Sequence, residues 1–126
     1  MSKPLTGVVV SHSGLAAALV EAVQNIAGET GPLVAVSNLG ASPESLCRSL
    51  ASAVGEGPAV VFVDMPGGSC LHAALTELRA REDVTIVAGV NLPMLLDFAF
   101  HRAMPPTEAA RHAQEAGTRS IRILGS

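Results

Sequence analysis

The chain has 126 residues, enough for one domain with a real hydrophobic core. Nearly half is hydrophobic, yet there is no Trp or Tyr and only three Phe, so small aliphatic side chains must fill that core. A net charge of −3 with scattered arginines, and no aromatic platforms for base stacking, argue against a nucleic-acid surface. Lys3 is the only lysine, which excludes a Walker-type phosphate loop and Schiff-base chemistry.

Leu5 to Val10 reads as a first strand, ending at Ser11-His12-Ser13-Gly14. A helix from Ser13 to Ala27 follows, with Leu15, Leu19, Val23 and Ile26 at helical spacing and Gly28 behind it. Leu33 to Val36 is a second strand. Ser42-Pro43-Glu44 signals a helix start, with a serine cap, proline at the first position and an acid in the first turn, and the helix runs to Val54. Ala59 to Val63 is an unbroken apolar run, as expected for a strand covered on both faces. It ends at Asp64, and Met65-Pro66-Gly67-Gly68 leads to a helix over Ser69 to Arg81. Val84 to Val90 is a fourth strand closed by Asn91. Helices are expected over Met94 to Ala103 and Thr107 to Ala116, the latter ended by Gly117. Ser120 to Leu124 alternates like a final strand with one exposed face.

Strands separated by helices imply one α/β domain, an open parallel sheet with helices on both faces. Cys47 and Cys70 are too few for a disulfide framework or thiolate metal site, and no metal-ligand spacing stands out. Met1 leads into a polar Ser-Lys-Pro with no apolar signal segment, and no apolar run is long enough to span a bilayer. The expectation is a cytoplasmic protein without membrane insertion.

The first and third strands both stop at an ionisable residue, His12 and Asp64. If the strands are neighbours, the carboxylate can accept one imidazole N–H and fix the tautomer, leaving the other ring nitrogen as a nucleophile. Taken singly, Ser11-His12-Ser13 reads more readily as a cap of the following helix, and Asp64 reads also as a helix or turn cap before Gly67-Gly68. Gly67-Gly68-Ser69 lets backbone N–H groups approach an anion at a helix N-terminus, and the helix beginning at Ser13 offers a second such end. Together these groups describe a site able to carry a phosphoryl group on histidine. A serine hydrolase using Ser69, with His101 or His112 as base, is a rival, although Gly67-Gly68-Ser69-Cys70-Leu71 fails the nucleophile-elbow pattern and both histidines fall inside expected helices. His72 reads as an ordinary helical histidine. Cys70, at a helix start, stands where a thiol pKa can fall, with no resolving thiol in view.

Three stretches resemble the IIA component of the mannose/sorbose-type bacterial phosphoenolpyruvate-dependent sugar phosphotransferase system. They are Gly7 to Ala16, then Phe62-Val63-Asp64 with Gly67-Gly68-Ser69, then Val87 to Leu96, which contains Asn91-Leu92-Pro93-Met94. The resemblance runs over essentially the whole chain and implies a phosphotransferase: a phosphohistidine carrier, without cofactor or metal. It implies four parallel strands and a homodimer in which a C-terminal antiparallel strand, here Ser120 to Leu124, crosses to the partner. It also implies phosphorylation of His12 by the histidine carrier protein HPr and delivery to a IIB component. Asp64 would orient the ring and Ser69 would contact the phosphoryl oxygens, with Ser13, Gly67 and Gly68 completing the phosphate-binding set read from the helix starts. Met65-Pro66 departs from the family, where a hydroxyl residue and an aromatic one often stand. Proline removes a possible N–H donor and changes the surface offered to partners. No IIB domain follows Ser126, so a stand-alone carrier is expected. The same fold as a regulatory sensor of phosphorylation state, or as the phosphotransfer subunit of dihydroxyacetone kinase, are the alternatives; Gly89 to Met94 favours the mannose type over the latter.

Overall fold

The computed structural model describes residues 4–125, so Lys3 and the polar start of the chain lie outside the described residues. Nine elements stand among the described residues, strand and helix alternating up to a final pair of helices: β1 (Thr6–Ser11), α1 (Leu15–Ala27), β2 (Leu33–Ser37), α2 (Pro43–Val54), β3 (Ala59–Val63), α3 (Gly68–Leu78), β4 (Val84–Ala88), α4 (Leu92–Ala99) and α5 (Pro106–Arg119). The sheet order is β2-β1-β3-β4 with every pairing parallel. Val10 lies opposite Val63, which brings the carboxyl ends of β1 and β3 side by side.

Both central strands are sealed on their two faces, which is why they read as continuous β-branched runs. Val9, Val60 and Phe62 pack with α1, α4 and α5, while Val8, Val10, Val61 and Val63 pack with α2 and α3. Phe62 meets Phe98 edge-on, with centroids 5.1 Å apart. Gly7 makes room for this layer, because a Cβ there would stand 2.6 Å from Phe98 Cε2. The start of α2 carries a capping box in which the Ser42 and Ser45 side chains each accept the other's backbone N–H, as the Ser-Pro-Glu signal led one to expect.

The C-terminal third departs from the sequence reading. β4 stops at Ala88, and Asn91 does not close the strand but caps α4, its Oδ1 accepting from Met94 N. α4 ends at Ala99, before His101 and Arg102. α5 does not end at Ala116; Gly117 lies inside the helix, its missing side chain admitting Met94, whose Cε would stand 2.9 Å from a Cβ. The glycine thus serves close helix packing and not termination. Ser120 to Leu124 is not a strand in the single chain: Ser120 caps α5, and Ile121, Ile123 and Leu124 are 77, 100 and 85% exposed. A strand needs a neighbour to take its N–H and C=O groups, and none is supplied within the described chain.

Candidate functional site

The loops after β1 and β3 meet at the carboxyl edge, where the chain leaves β1 toward β2 on one side and β3 toward β4 on the other. Such a divergence opens a crevice in an α/β sheet. His12 and Asp64 face each other there. Asp64 Oδ2 accepts the His12 backbone N–H at 2.9 Å and the ring Nδ1–H at 2.7 Å. Because a carboxylate only accepts, Nδ1 carries a proton, and in the neutral ring Nε2 keeps its lone pair. The Asp64 side chain is 8% exposed and that of His12 41%. Burial pushes the Asp64 carboxyl up, but the His12 backbone N–H, ring N–H and ring charge outweigh it and hold the group below its ordinary value. Asp64 is therefore an ionised partner for the ring. Its second oxygen, Oδ1, is buried without a partner.

Nε2 points at the start of α3. A Cβ on Gly68 would lie 3.2 Å from His12 Cε1 and 3.3 Å from Nε2, and Gly68 has φ +85°. Only glycine leaves that nitrogen open to a ligand at this backbone conformation. Gly67, the N-cap, has extended backbone and gives no side-chain cap, so the first-turn N–H groups of α3 are not taken by a capping side chain. Positive helix-end potential and free donors thus face the Nε2 edge of the ring.

The second helix start is more closely tied. Ser11, fully buried, accepts the Ala16 N–H at 2.7 Å through its Oγ. Ser13 adopts φ +52°, a left-handed conformation unfavourable for a residue with a Cβ. It is held there from both sides, its N–H donating to Asn38 Oδ1 at 3.2 Å and its C=O accepting from Ser37 Oγ at 2.7 Å. Asn38 Nδ2 donates to Ser69 Oγ at 3.2 Å. Asn38 therefore links the two helix starts, a role that sequence alone did not reveal because it rests on β2 lying beside β1. Met65 is exposed next to Asp64.

Residues 6–114 match the family model EIIA-man, described as PTS system fructose IIA component. The chain belongs to the EIIA-man family. Phosphotransferase activity in general goes with that membership. No curated protein sequence matches closely enough to count as a relative. Among solved structures, this EIIA-man chain is similar to a phosphotransferase system component EIIA from Streptococcus agalactiae, at 18% identity and TM-score 0.87 over 94% of this chain and 96% of that one. It is similar also to the mannose/sorbose specific IIA subunit from Enterococcus faecalis, at 22% identity and TM-score 0.84 over 99% and 97% of the two chains. A sugar phosphotransferase system permease from Klebsiella pneumoniae gives 20% identity and TM-score 0.84 over 96% and 91%. At these identities the likeness establishes the fold. Among the described residues no helix of the EIIA-man chain is long and apolar enough to cross a membrane.

The hydrolase rival finds no base in the two histidines assigned to it. His101 and His112 both face Asp97 in the layer of α4 and α5, on the other face of the sheet from α3, while Ser69 Oγ accepts from Asn38 and keeps its O–H to donate. The helix start does not lower the Cys70 thiol: burial, then the negative charge of Asp64, pushes it up. Its Sγ lies 3.9 Å from His12 Nδ1 as a protonated neighbour of the ring. His72 lines, with Ser69, Asn38 and Leu46, a cleft of about 280 Å³ between α2 and α3.

Proposed function

We propose that this EIIA-man protein is a phosphohistidine carrier that takes a phosphoryl group from HPr onto His12 Nε2 and hands it to a IIB component in sugar uptake. The observation that carries the reading is the 2.7 Å bond from His12 Nδ1 to Asp64, which leaves Nε2 free before Gly68 and the uncapped end of α3. In the first transfer the Nε2 lone pair attacks phosphorus as the P–N bond to the donor histidine breaks. The negative charge of Asp64 offsets the positive charge that grows on the ring, and the proton stays on Nδ1. Gly67, Gly68 and Ser69 offer backbone N–H groups and a hydroxyl to the phosphoryl oxygens, and Ser13 shapes the opposing wall. The second transfer reverses these roles toward the IIB acceptor.

The chain then acts as one cytoplasmic IIA domain and as a homodimer. Ser120 to Leu124 is the segment we assign to exchange, its exposed isoleucines and the backbone beyond Ile121 completing an antiparallel edge on the partner. Incubation with phosphoenolpyruvate, enzyme I and HPr, followed by intact mass, tests the carrier reading. One acid-labile phosphoryl group per chain, discharged by a IIB protein, is the expected result. A chain that stays unmodified overturns the reading, and a modified chain that no IIB protein discharges overturns its transport half.

A further inference from the structure

At the opposite edge of the sheet, the fold assembles a group of side chains the phosphoryl site does not use. Asp97 and His101 stand four residues apart at the end of α4, and His112 reaches them from α5. We propose that Asp97, His101 and His112 bind one divalent transition-metal cation of the zinc class, clamping the end of α4 to α5. Asp97 Oδ2 lies 2.9 Å from His112 Nδ1 and 3.5 Å from His101 Nδ1. Two ligand atoms each about 2.0–2.1 Å from a tetrahedral zinc stand about 3.3 Å apart, and the two observed separations bracket that value. The imidazole rings lie face to face, with centroids 4.0 Å apart and a 34° tilt, and both turn Nδ1 toward Asp97, His112 to its carboxylate and His101 to its carbonyl with the carboxylate 3.5 Å away.

The donor set suits the ion. Two imidazoles and one carboxylate are borderline ligands of the kind zinc takes. In the metal-free chain His112 Nδ1 donates to the carboxylate and His101 Nδ1 to the Asp97 carbonyl at 2.7 Å, which also accepts the Phe100 N–H at 3.1 Å. A cation takes the place of these two protons, and the tautomers shift so that Nε2–H meets water. That exchange is open to the rings because their side chains are 31 and 40% exposed, while Asp97 at 13% is fixed. The carbonyl keeps its bond from Phe100. Glu108 and Glu115 lie four residues before and three after His112, on one face of α5 beside a cavity of about 180 Å³. Their charge favours a cation at an open coordination position, against the opposing charge of Arg111. The site is separate from His12: the next residue after His101, Arg102, bonds the Leu5 and Pro32 carbonyls at the amino ends of β1 and β2.

The test is a zinc titration of the full chain by calorimetry, with thermal unfolding in parallel. His12, Asp64 and Cys70 also present three donors close together, so His12→Ala serves as the control. The expected result is a zinc site that raises the unfolding temperature, persists in His12→Ala and weakens by about tenfold or more in His101→Ala and in His112→Gln. Loss of an outer-sphere partner alone costs about 10–100-fold, so loss of a ligand should cost no less. Circular dichroism of each variant without metal separates lost binding from lost fold, and the milder His112→Gln keeps the result interpretable if His101→Ala is unstable. No saturable zinc binding, binding undiminished in both variants, or binding lost only in His12→Ala overturns the proposal.

Discussion

Replacing Asp64 by Asn removes one charge and keeps the shape. An amide oxygen at the Oδ2 position still accepts from the His12 backbone and ring, but the charge-assisted part of both bonds goes. The amide nitrogen then occupies the place of Oδ1, which is buried without a partner and offers nothing to donate to. A hydrogen bond to a charged group is worth about 1.5–3 kcal/mol, and with the carboxylate 8% exposed little of that is lost to solvent screening. If the developing ring charge feels it fully in the transition state, phosphoryl uptake slows by about one to two decades. The assay is a rapid-quench single turnover from phosphorylated HPr, with circular dichroism to show that the fold persists. The effect on stability has a defined sign. The folded carboxyl titrates below the ordinary 3.8, so its contribution is present above that value and is lost as pH falls through the lower, folded one. Denaturation midpoints of the wild type should therefore drop between neutral pH and about pH 3 by more than those of Asp64→Asn. A wild-type transfer rate in Asp64→Asn would refute the reasoning and reduce the carboxylate to a turn cap.

Further outcomes are expected at neighbouring positions. His12→Ala should take up no phosphoryl group and keep its fold, as judged by intact mass and circular dichroism, because the ring is partly exposed and its side-chain partners are Asp64 and the Cys70 thiol alone. Gly68→Ala should block His12 sterically and cost about 1–2 kcal/mol for the left-handed backbone, measured by single-turnover labelling and urea unfolding. Asn38→Ala should release both Ser13 and Ser69 and slow labelling less than Asp64→Asn does, since the bonds it breaks are between neutral groups. Deleting residues from Ser120 onward should turn a sedimenting dimer into a monomer or aggregate; a full-length monomer at micromolar concentration would refute the exchange.

What could be read in advance followed the physics that acts locally. β1 and β3 announce themselves because a strand sealed on both faces has to be apolar throughout, and α2 because its capping residues are adjacent in the chain. The pairing of His12 with Asp64 was legible as soon as β1 and β3 were taken as neighbours, since both strands end in an ionisable group. Asn38 was not, because its value depends on where β2 lies. Gly117 misled for the same reason: a helix-ending glycine and one that admits Met94 look alike until α4 is packed. The convergence of His101 and His112 on Asp97 likewise needs the α4–α5 contact. Ser120 to Leu124 alternates as a strand would, but alternation cannot provide the neighbour a strand needs.

Arg102 bears on the order in which the molecule can be made. Its side chain sits over the Phe98 ring, 4.7 Å from the centroid, and spans a sequence separation of 97 residues to reach the Leu5 carbonyl, with Pro32 bonded as well. Burial lowers this guanidinium to about 10, and Nε and Nη1 have no partner, so the contact is worth making only when the surrounding layer is in place. During synthesis β1 emerges first and is the strand that must end between two others. β2 can join it through α1 early, but β3 arrives later, and the arginine that ties down the amino ends of β1 and β2 arrives later still. Contacts so distant along the chain form late in folding. A chain stopped before Arg102 would leave the Leu5 carbonyl without its guanidinium partner and the Phe98 ring without its cover, while the Pro32 carbonyl keeps only the Gly7 N–H, the kind of surface on which nascent chains associate.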